Sequence, residues 1–295
     1  MQTCLDCIPC FVRQTLDAAR MATDNFQEQE QIMRQVLEML SGIDMKISPP
    51  AMAKKIHKVI RQIVKNSDPY KEKKRHFNEF ALKLAPKFKD LIENSQKPFE
   101  SAIRLAIAGN IIDLGVKSSL DISEAEDVIN KALTDHFDAS EINIFKSAIS
   151  SAKDILYLAD NAGEIVFDKF LIGQIGADKI TFVVKGSPII NDATMEDAKA
   201  AGITDIVKVI DNGDDAPGTV LENCSKQFLE HFEKADLIIS KGQGNYETLN
   251  DVNKNIFFIL KAKCPVVAKQ LGCEIGTMIL RSSTAFAAKQ EKKAV

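Results

Sequence analysis

The fold prediction rests on residues 155–164, which have the sequence ILYLADNAGE. An apolar run of five residues is followed directly by Asp160, Asn161 and, after a glycine, Glu164. A short apolar run that ends in polar residues is typical of a buried strand in a parallel sheet, where ligands bind beyond the carboxyl end of the strand. The pattern therefore predicts a strand and a ligand site at its end.

Four further apolar runs follow, and they begin at residues 180, 206, 237 and 256. Counted from residue 155, the first four runs begin 25 to 31 residues apart, which is the length of one strand and one helix. Leu221, Cys224, Phe228 and Phe232 recur at helical spacing before the fourth run and predict a crossover helix. We therefore predict an α/β fold with a doubly wound, mostly parallel sheet.

The first half of the chain has a helical pattern, with apolar residues at every third and fourth position. The helical segments are Phe11 to Met21, Glu30 to Leu40, Met52 to Val64 and Phe99 to Ile112. They are interrupted at Ser48-Pro49-Pro50 and at Asp68-Pro69. We expect a mainly helical region over residues 1–150, which carries an N-terminal Cys cluster, and an α/β metal- and phosphate-binding domain over residues 151–295.

The composition indicates a folded protein with little attraction for nucleic acid or membranes. Of the 295 residues, 45% are hydrophobic and 27% are charged, and the net charge is only -3. The stretch from Lys54 to His76 has a local net charge of +7, but without interleaved aromatic residues it favours a solvated helix face over a nucleic-acid site. The N-terminus shows no targeting pattern and no apolar run reaches about 20 residues, so we expect a cytoplasmic protein.

Polar clusters follow four of the predicted strands. They are Asp160-Asn161, Lys185-Gly186 with Asn191-Asp192, Asp211-Asn212-Gly213, and Lys241-Gly242-Gln243-Gly244-Asn245. Because the carboxyl ends of parallel strands meet at one edge, these groups should converge. Carboxylate and amide oxygens suit a hard cation such as Mg²⁺, and a lysine beside glycines suits a phosphate. Asp160, Asn161 and Asp192 are the predicted metal ligands.

Ordinary turn and cap chemistry is the competing interpretation of these clusters. Asn161 followed by Glu164 also fits a helix N-cap with its capping box, and Thr194 with Asp197 fits the same motif. For Asp211-Asn212-Gly213 we favour a simple turn. The coincidence of four polar clusters at one predicted edge favours a site.

Other catalytic motifs are weak or incomplete. The chain has neither a P-loop sequence nor a complete dinucleotide fingerprint. His57, His76, His136 and His231 fall in helical-looking segments away from the strand ends, so we expect them at surfaces or interfaces.

Three cysteines are spaced as Cys4-x-x-Cys7-x-x-Cys10. Thiols at this spacing suit a second metal ion or a redox site, but they also suit a buried, inert cluster. The sequence leaves both interpretations open.

With these residues in view, the chain resembles the damage-control phosphatase family, also catalogued as domain of unknown function eighty-nine, and in particular its prokaryotic branch with N-terminal cysteines. The matching motifs are Cys4-Leu-Asp-Cys7, Ala108-Gly109-Asn110-Ile111-Ile112-Asp113, residues 160–164, 185–186 with 191–194, and 241–245. The resemblance implies a helical N-terminal portion on an α/β domain. It also implies hydrolysis of phosphomonoesters of small metabolites with a divalent ion (Mg, Mn, Co or Ni) on Asp160, Asn161 and Asp192.

The resemblance further implies that Lys241 faces the phosphate and that Gly109 and Asn110 border the pocket. The predicted catalytic residues are Asp160, Lys241 and Glu164. The predicted substrate-binding residues are Asn110, Lys185, Gly242, Gly244 and Asn245. The expected partner is a small phosphorylated metabolite.

The chemical route stays open at this point. Water can attack phosphorus directly, or Asp160 can attack first and form an aspartyl-phosphate. Glu164 either positions the water or only caps its helix. The alternative functions are an S-adenosylmethionine-dependent carboxyl methyltransferase and a non-catalytic metal- or nucleotide-binding regulator.

Overall fold

The computed structural model describes residues 1–115 and 122–283. Its helices are α1 (Cys7–Ala22), α2 (Phe26–Ser41), α3 (Pro49–Val64), α4 (Lys71–Glu93), α5 (Pro98–Gly115), α6 (Ile122–Thr134), α7 (Ile142–Ser151), α8 (Glu164–Ile175), α9 (Met195–Ala200), α10 (Lys226–Lys234), α11 (Gln243–Leu249) and α12 (Pro265–Leu271). Its strands are β1 (Phe137–Asp138), β2 (Ile155–Leu158), β3 (Ile180–Val184), β4 (Lys208–Asp211), β5 (Leu237–Lys241), β6 (Ile256–Lys261) and β7 (Met278–Ser282). Within these two ranges, every helix is too short or too polar to cross a membrane.

The seven strands form one sheet in the order β1-β7-β6-β5-β2-β3-β4. All neighbouring strands are parallel except β6 and β7. After β2 the chain builds β3 and β4 on one side and then returns to build β5 and β6 on the other. The direction of winding reverses beside β2, and in such sheets a crevice for ligands opens at this point. The predicted doubly wound, mostly parallel sheet is confirmed.

The strand predictions differ from the structure mainly at the edge. β1 has only two residues, and it pairs Phe137 with Met278 of β7. Neither strand was predicted from the sequence. The predicted crossover helix begins at Lys226, later than the apolar spacing indicates, because the Ser225 hydroxyl accepts a hydrogen bond from the Phe228 amide at 3.2 Å and caps the helix there.

Helices α1, α2 and α3 form a three-helix layer with a hydrophobic core of its own. Its buried residues are Phe11, Ala18, Ala19, Ile32, Val36, Leu40, Met52, Ile56 and Ile60. The predicted break at Ser48 marks the start of α3, since the Ser48 hydroxyl accepts a hydrogen bond from the Ala51 amide at 3.4 Å and prolines occupy the first turn. The apolar spacing of these segments is therefore explained by packing within the layer.

Ion pairs join the three-helix layer to loops of the α/β region. Lys54 pairs with Asp214 and, at 3.0 Å, with Asp215. Arg61 pairs with Asp215 at 2.5 Å. In α4, Lys74 pairs with two carboxylates, both within 3.3 Å. Several basic side chains of the stretch from Lys54 to His76 therefore form ion pairs with carboxylates of the same protein.

The largest hydrophobic cluster takes residues from both halves of the chain. Ile103 of α5 belongs to the same cluster as Phe145 of α7, Phe167 of α8 and Tyr157 of β2. Helix α5 therefore packs directly on the first helix that follows β2. The division of the chain near residue 150 stays a prediction, and this cluster extends across it.

His57 differs from the expectation that the histidines lie at surfaces or interfaces. Its side chain, in α3, is only 7% exposed and packs edge-on to Tyr70, with ring centroids 6.1 Å apart. Burial, together with the positive charge of Arg61, lowers the pKa of His57 to about 4. The imidazole is therefore neutral in the folded protein at pH 7.

This burial predicts a specific acid sensitivity. The folded pKa of about 4 lies below the unfolded value of 6.5, so the contribution of His57 to stability is complete above pH 6.5 and is lost as the pH falls towards 4. We expect the wild type to lose about 2 kcal/mol more than His57→Phe between pH 7 and pH 5, from urea denaturation at both pH values. Equal losses in the two proteins would contradict this account.

Candidate functional site

The carboxyl ends of β2, β3 and β5 meet at one edge of the sheet. The backbone following β2 pairs with the loop following β3: Ala162 N donates to Asn191 O at 2.9 Å, and Ala193 N donates to Asp160 O at 2.8 Å. This pairing sets Asn161 opposite Asp192 in an isolated antiparallel bridge. The topology therefore brings the three predicted metal ligands to neighbouring positions.

The amide of Asn161 is held by two carboxylates. Its nitrogen Nδ2 donates to Asp160 Oδ2 at 2.9 Å and to Glu164 Oε2 at 3.0 Å. Since the nitrogen faces both carboxylates, the carbonyl oxygen Oδ1 is the atom that can coordinate a cation. The capping-box interpretation of this motif is wrong, because Gly163 is the N-cap of α8 and no side chain caps that helix.

Gly242 makes room for the Asp160 carboxylate. A Cβ built on Gly242 would lie 2.1 Å from Asp160 Oδ2, and the glycine has φ = +81°. Only glycine satisfies both the left-handed backbone and the close approach. The loop at residues 241–245, which the sequence analysis assigned to phosphate, therefore makes room for the Asp160 carboxylate.

Lys241 lies beneath the site. Its ammonium is fully buried and donates to Ala106 O at 2.9 Å, to Glu164 Oε1 at 2.6 Å and to Asp168 Oδ1 at 2.6 Å. These bonds use all three donors of the ammonium group. In this arrangement Lys241 acts on the site through Glu164, whereas the resemblance implies a direct contact with phosphate.

Asp192 and Lys185 form a buried pair after β3. Lys185 Nζ lies 3.5 Å from Asp192 Oδ2 and also donates to the Gly218 carbonyl. Within the described ranges, Asp192 Oδ2 is buried and has no partner within hydrogen-bond geometry. Burial raises the pKa of Asp192 to about 6, and the negative charge of Glu164 adds to this while Lys185 opposes it.

The charges of this edge do not balance. The cluster consists of Asp160, Glu164, Asp168, Asp192, Lys185 and Lys241. Lys263 also acts on Asp160, so with every group ionised four carboxylates and three ammonium groups leave a net charge of −1. Burial raises the pKa of Asp160 well above its usual range, and the neighbouring charges of Glu164 and Asp192 raise it further, while Lys263 and Lys241 oppose the shift. The site is therefore suited to a divalent cation.

The remaining predicted substrate-binding residues contact the protein itself. The Asn245 amide is buried; it donates to Ala159 O at 3.1 Å and Lys241 O at 2.8 Å and accepts from Thr219 at 2.8 Å. Gly244 packs so closely on Pro217 that a Cβ would meet its carbonyl oxygen at 2.0 Å. These contacts join the loops around the site.

The Gly109-Asn110 motif lies in α5 against the first turn of α8. A Cβ on Gly109 would lie 2.9 Å from Phe167 and 3.2 Å from the Cα of Glu164. The glycine therefore allows the two helices to approach beside Glu164. The side chain of Asn110 lies outside the described part of the structure.

The sequence analysis missed three polar residues that support the site. Tyr157 donates to Asp168 Oδ1 at 2.8 Å beneath β2, and Asn78 of α4 accepts from the Gly163 amide at 2.7 Å. Asp168 follows Glu164 by four residues and so lies on the same face of α8. This spacing could have predicted from the sequence that Asp168 lies near the site. Asn78 offers no such local signal.

Thr194 and Asp197 form the capping box that their spacing indicates.

The N-terminal cysteines form a pair. Cys4 Sγ and Cys7 Sγ lie 3.5 Å apart, and Cys10 is exposed. Burial raises the pKa of Cys7 to about 12. Across residues 1–115 and 122–283, no three or more Cys, His, Asp and Glu side chains form a metal-binding group. The predicted cysteine metal site therefore rests on sequence spacing alone. The predicted metal ligands Asp160, Asn161 and Asp192 are not such a group, because only two of the three are Cys, His, Asp or Glu and the third is an asparagine.

The chain matches known proteins over nearly its whole length. Residues 3–279 match the model of the damage-control phosphatase ARMT1-like domain. An uncharacterized protein of Methanocaldococcus jannaschii, MJ0202, is 40% identical over 93% of both chains. The damage-control phosphatase PH1575 of Pyrococcus horikoshii is 36% identical over 95% of this chain and 97% of its own, and a damage-control phosphatase of Archaeoglobus fulgidus is 34% identical over 93% and 97%.

A solved structure has the same fold. The crystal structure of PH1575, described as a DUF89 family protein, has a TM-score of 0.87 to this chain at 34% identity. It covers 96% of this chain and 100% of its own length.

The burial of the Asp192 carboxylate, together with the nearby charge of Glu164, predicts that Asp192→Asn stabilises the metal-free protein. The folded pKa of about 6 exceeds the ordinary 3.8, so the penalty for ionised Asp192 develops as the pH rises from 3.8 through 6 and is complete at pH 7. In EDTA at pH 7 we expect the free energy of unfolding to rise by about 1–3 kcal/mol, measured in urea. The exposed control Asp211→Asn should change it by less than about 0.5 kcal/mol. A less stable Asp192→Asn protein would overturn the charge argument.

The fit of Gly242 against Asp160 predicts a clash on substitution. Gly242→Ala adds both backbone strain and a collision with the carboxylate, whereas Gly272→Ala, at φ = +68° with nothing within 4 Å, adds strain alone. We expect Gly272→Ala to cost about 1 kcal/mol and Gly242→Ala at least about 2 kcal/mol, measured in urea. Equal losses would show that the contact with Asp160 has no energetic importance.

Proposed function

Because the chain belongs to the ARMT1-like damage-control phosphatases and is a phosphatase of that family, we propose that it hydrolyses phosphomonoesters of small metabolites with a divalent ion held by Asp160, Asn161 and Asp192. The observation that carries the metal assignment is the convergence of Asp160, Asn161 and Asp192 at the sheet edge, where Asn161 lies opposite Asp192 and its amide nitrogen is hydrogen-bonded to Asp160. No step of this proposal uses the cysteines.

The three residues fit a hard divalent cation. They offer two carboxylates and one amide oxygen, which is the donor chemistry of Mg²⁺ and Mn²⁺ sites. The buried oxygen Asp192 Oδ2 has the Lys185 ammonium at 3.5 Å and makes no hydrogen bond within the described ranges, so it keeps a lone pair for a ligand. Burial raises the pKa values of Asp160 and Asp192, and repulsion from neighbouring carboxylates adds to this, so a bound cation would favour the ionised forms that coordinate it.

A bound divalent ion, whether Mg, Mn, Co or Ni, would supply charge neutralisation and orientation of the phosphate oxygens. The protein groups supply the rest. Lys185 brings a positive charge beside Asp192, and Lys241 keeps Glu164 in place next to Asn161. Glu164 is buried and both of its oxygens accept from protein donors, so it would use a remaining lone pair to orient a water molecule.

The attacking group is either water or the Asp160 carboxylate. The second route forms an aspartyl-phosphate that borohydride reduces to homoserine, so mass spectrometry of the treated protein distinguishes the routes. A carboxyl methyltransferase would have no use for this acidic cluster, and the names of the curated relatives support the phosphatase.

Hydrolysis of p-nitrophenyl phosphate with Mg²⁺, Mn²⁺, Co²⁺ or Ni²⁺ tests the proposal. We expect EDTA to abolish the activity, and Asp160→Ala and Asp192→Ala to reduce kcat at least about 100-fold because each removes a predicted metal ligand. Asp211→Asn, at the exposed end of β4, is the matched control and should keep the wild-type rate. Unchanged rates in folded Asp160→Ala and Asp192→Ala, verified by circular dichroism, would reject the site.

A further inference from the structure

A buried polar network lies directly beneath the site. Tyr157 of β2 and Lys241 of β5 both donate to the same oxygen, Asp168 Oδ1, at 2.8 and 2.6 Å. All three side chains are fully buried. Within the described ranges, the other oxygen of Asp168 is also buried and has no hydrogen-bond partner.

Asp168 is not needed to neutralise Glu164. The Lys241 ammonium already balances the charge of Glu164 at 2.6 Å, so a second buried carboxylate adds an unbalanced charge that the fold must accommodate. An apolar residue at position 168 would avoid this cost. The carboxylate must therefore provide something other than charge balance.

What Asp168 provides is a fixed direction for a flexible side chain. The ammonium of lysine is a compact charge on a four-carbon stem, and it is placed only by its acceptors. Ala106 O, Glu164 Oε1 and Asp168 Oδ1 define that place, and the hydroxyl of Tyr157 fixes the acceptor atom of Asp168.

The network continues from Lys241 to the predicted metal ligands. Lys241 holds one oxygen of Glu164, and the other oxygen of Glu164 accepts from Asn161 Nδ2 at 3.0 Å. That same nitrogen donates to Asp160. Each hydrogen bond in this series orients the next group.

We propose that Asp168 is a positioning residue that, together with Tyr157, holds Lys241 against Glu164 and so orients the Asn161 amide with its oxygen towards the metal. This inference rests on the function proposed above, because it concerns the same site. The hydrogen bonds of Asp168 go to Tyr157 and Lys241, so its effect on the predicted metal ligands passes through Lys241. Groups that orient metal ligands in this way typically change metal affinity or activity about 10- to 100-fold when removed.

The test compares Asp168→Asn and Tyr157→Phe with the wild type in two measurements. The first is the dissociation constant of Mn²⁺, from titration calorimetry of the metal-stripped protein; the second is kcat and KM for p-nitrophenyl phosphate at saturating Mn²⁺. We expect Asp168→Asn to weaken Mn²⁺ binding about 10- to 100-fold. Tyr157→Phe removes only one neutral hydrogen bond and should weaken Mn²⁺ binding about 3-fold. KM should change less than kcat.

Destabilisation alone is controlled by Val36→Ala, which lowers stability from within the three-helix layer and should leave both measurements unchanged. If Asp168→Asn does not fold, Tyr157→Phe decides the question. Wild-type Mn²⁺ affinity and kcat in the folded variants would overturn the positioning role and leave the phosphatase assignment intact. A wild type that neither binds Mn²⁺ nor hydrolyses the substrate would instead reject the proposed function.

Discussion

The buried ammonium of Lys241 connects the main parts of the fold at the site. It joins the end of β5 to the backbone of α5 at Ala106 and to Glu164 and Asp168 in α8. A buried charge is tolerated only where partners surround it, and removing one partner leaves the others uncompensated. The position of the first turn of α8, from which Glu164 reaches Asn161, therefore depends on this contact.

The strands and the sheet edge could be predicted because both follow from local patterns and topology. Buried parallel strands give continuous apolar runs, and their carboxyl ends must share one edge. The positions of Asp160, Asn161 and Asp192 follow from this rule. The burial of Lys241 does not, because a lysine after a strand gives the same pattern whether it faces a phosphate or a buried carboxylate. Its partner Ala106 lies 135 residues away in the chain.

Local motifs were reliable where the partner is local and unreliable where it is distant. The Thr194 capping box closes within one helical turn, so its spacing is sufficient. Asn161 and Glu164 have the same spacing, yet tertiary partners determine their hydrogen bonds. His57 lies on a helix face that tertiary packing covers, and β1 is too short to give any pattern. In each case the missing information is a contact made by residues far apart in the chain.

The three-helix layer has a core separate from the cores of the sheet, and it meets the loops of the α/β region through ion pairs such as Lys54 with Asp215. Changes inside a separate core have little effect on residues with which they share no contacts. Substitutions inside this core should therefore leave the residues at the strand ends in place. The layer is thus a place where the chain can be engineered, for example to raise its solubility, with little risk to the predicted metal ligands.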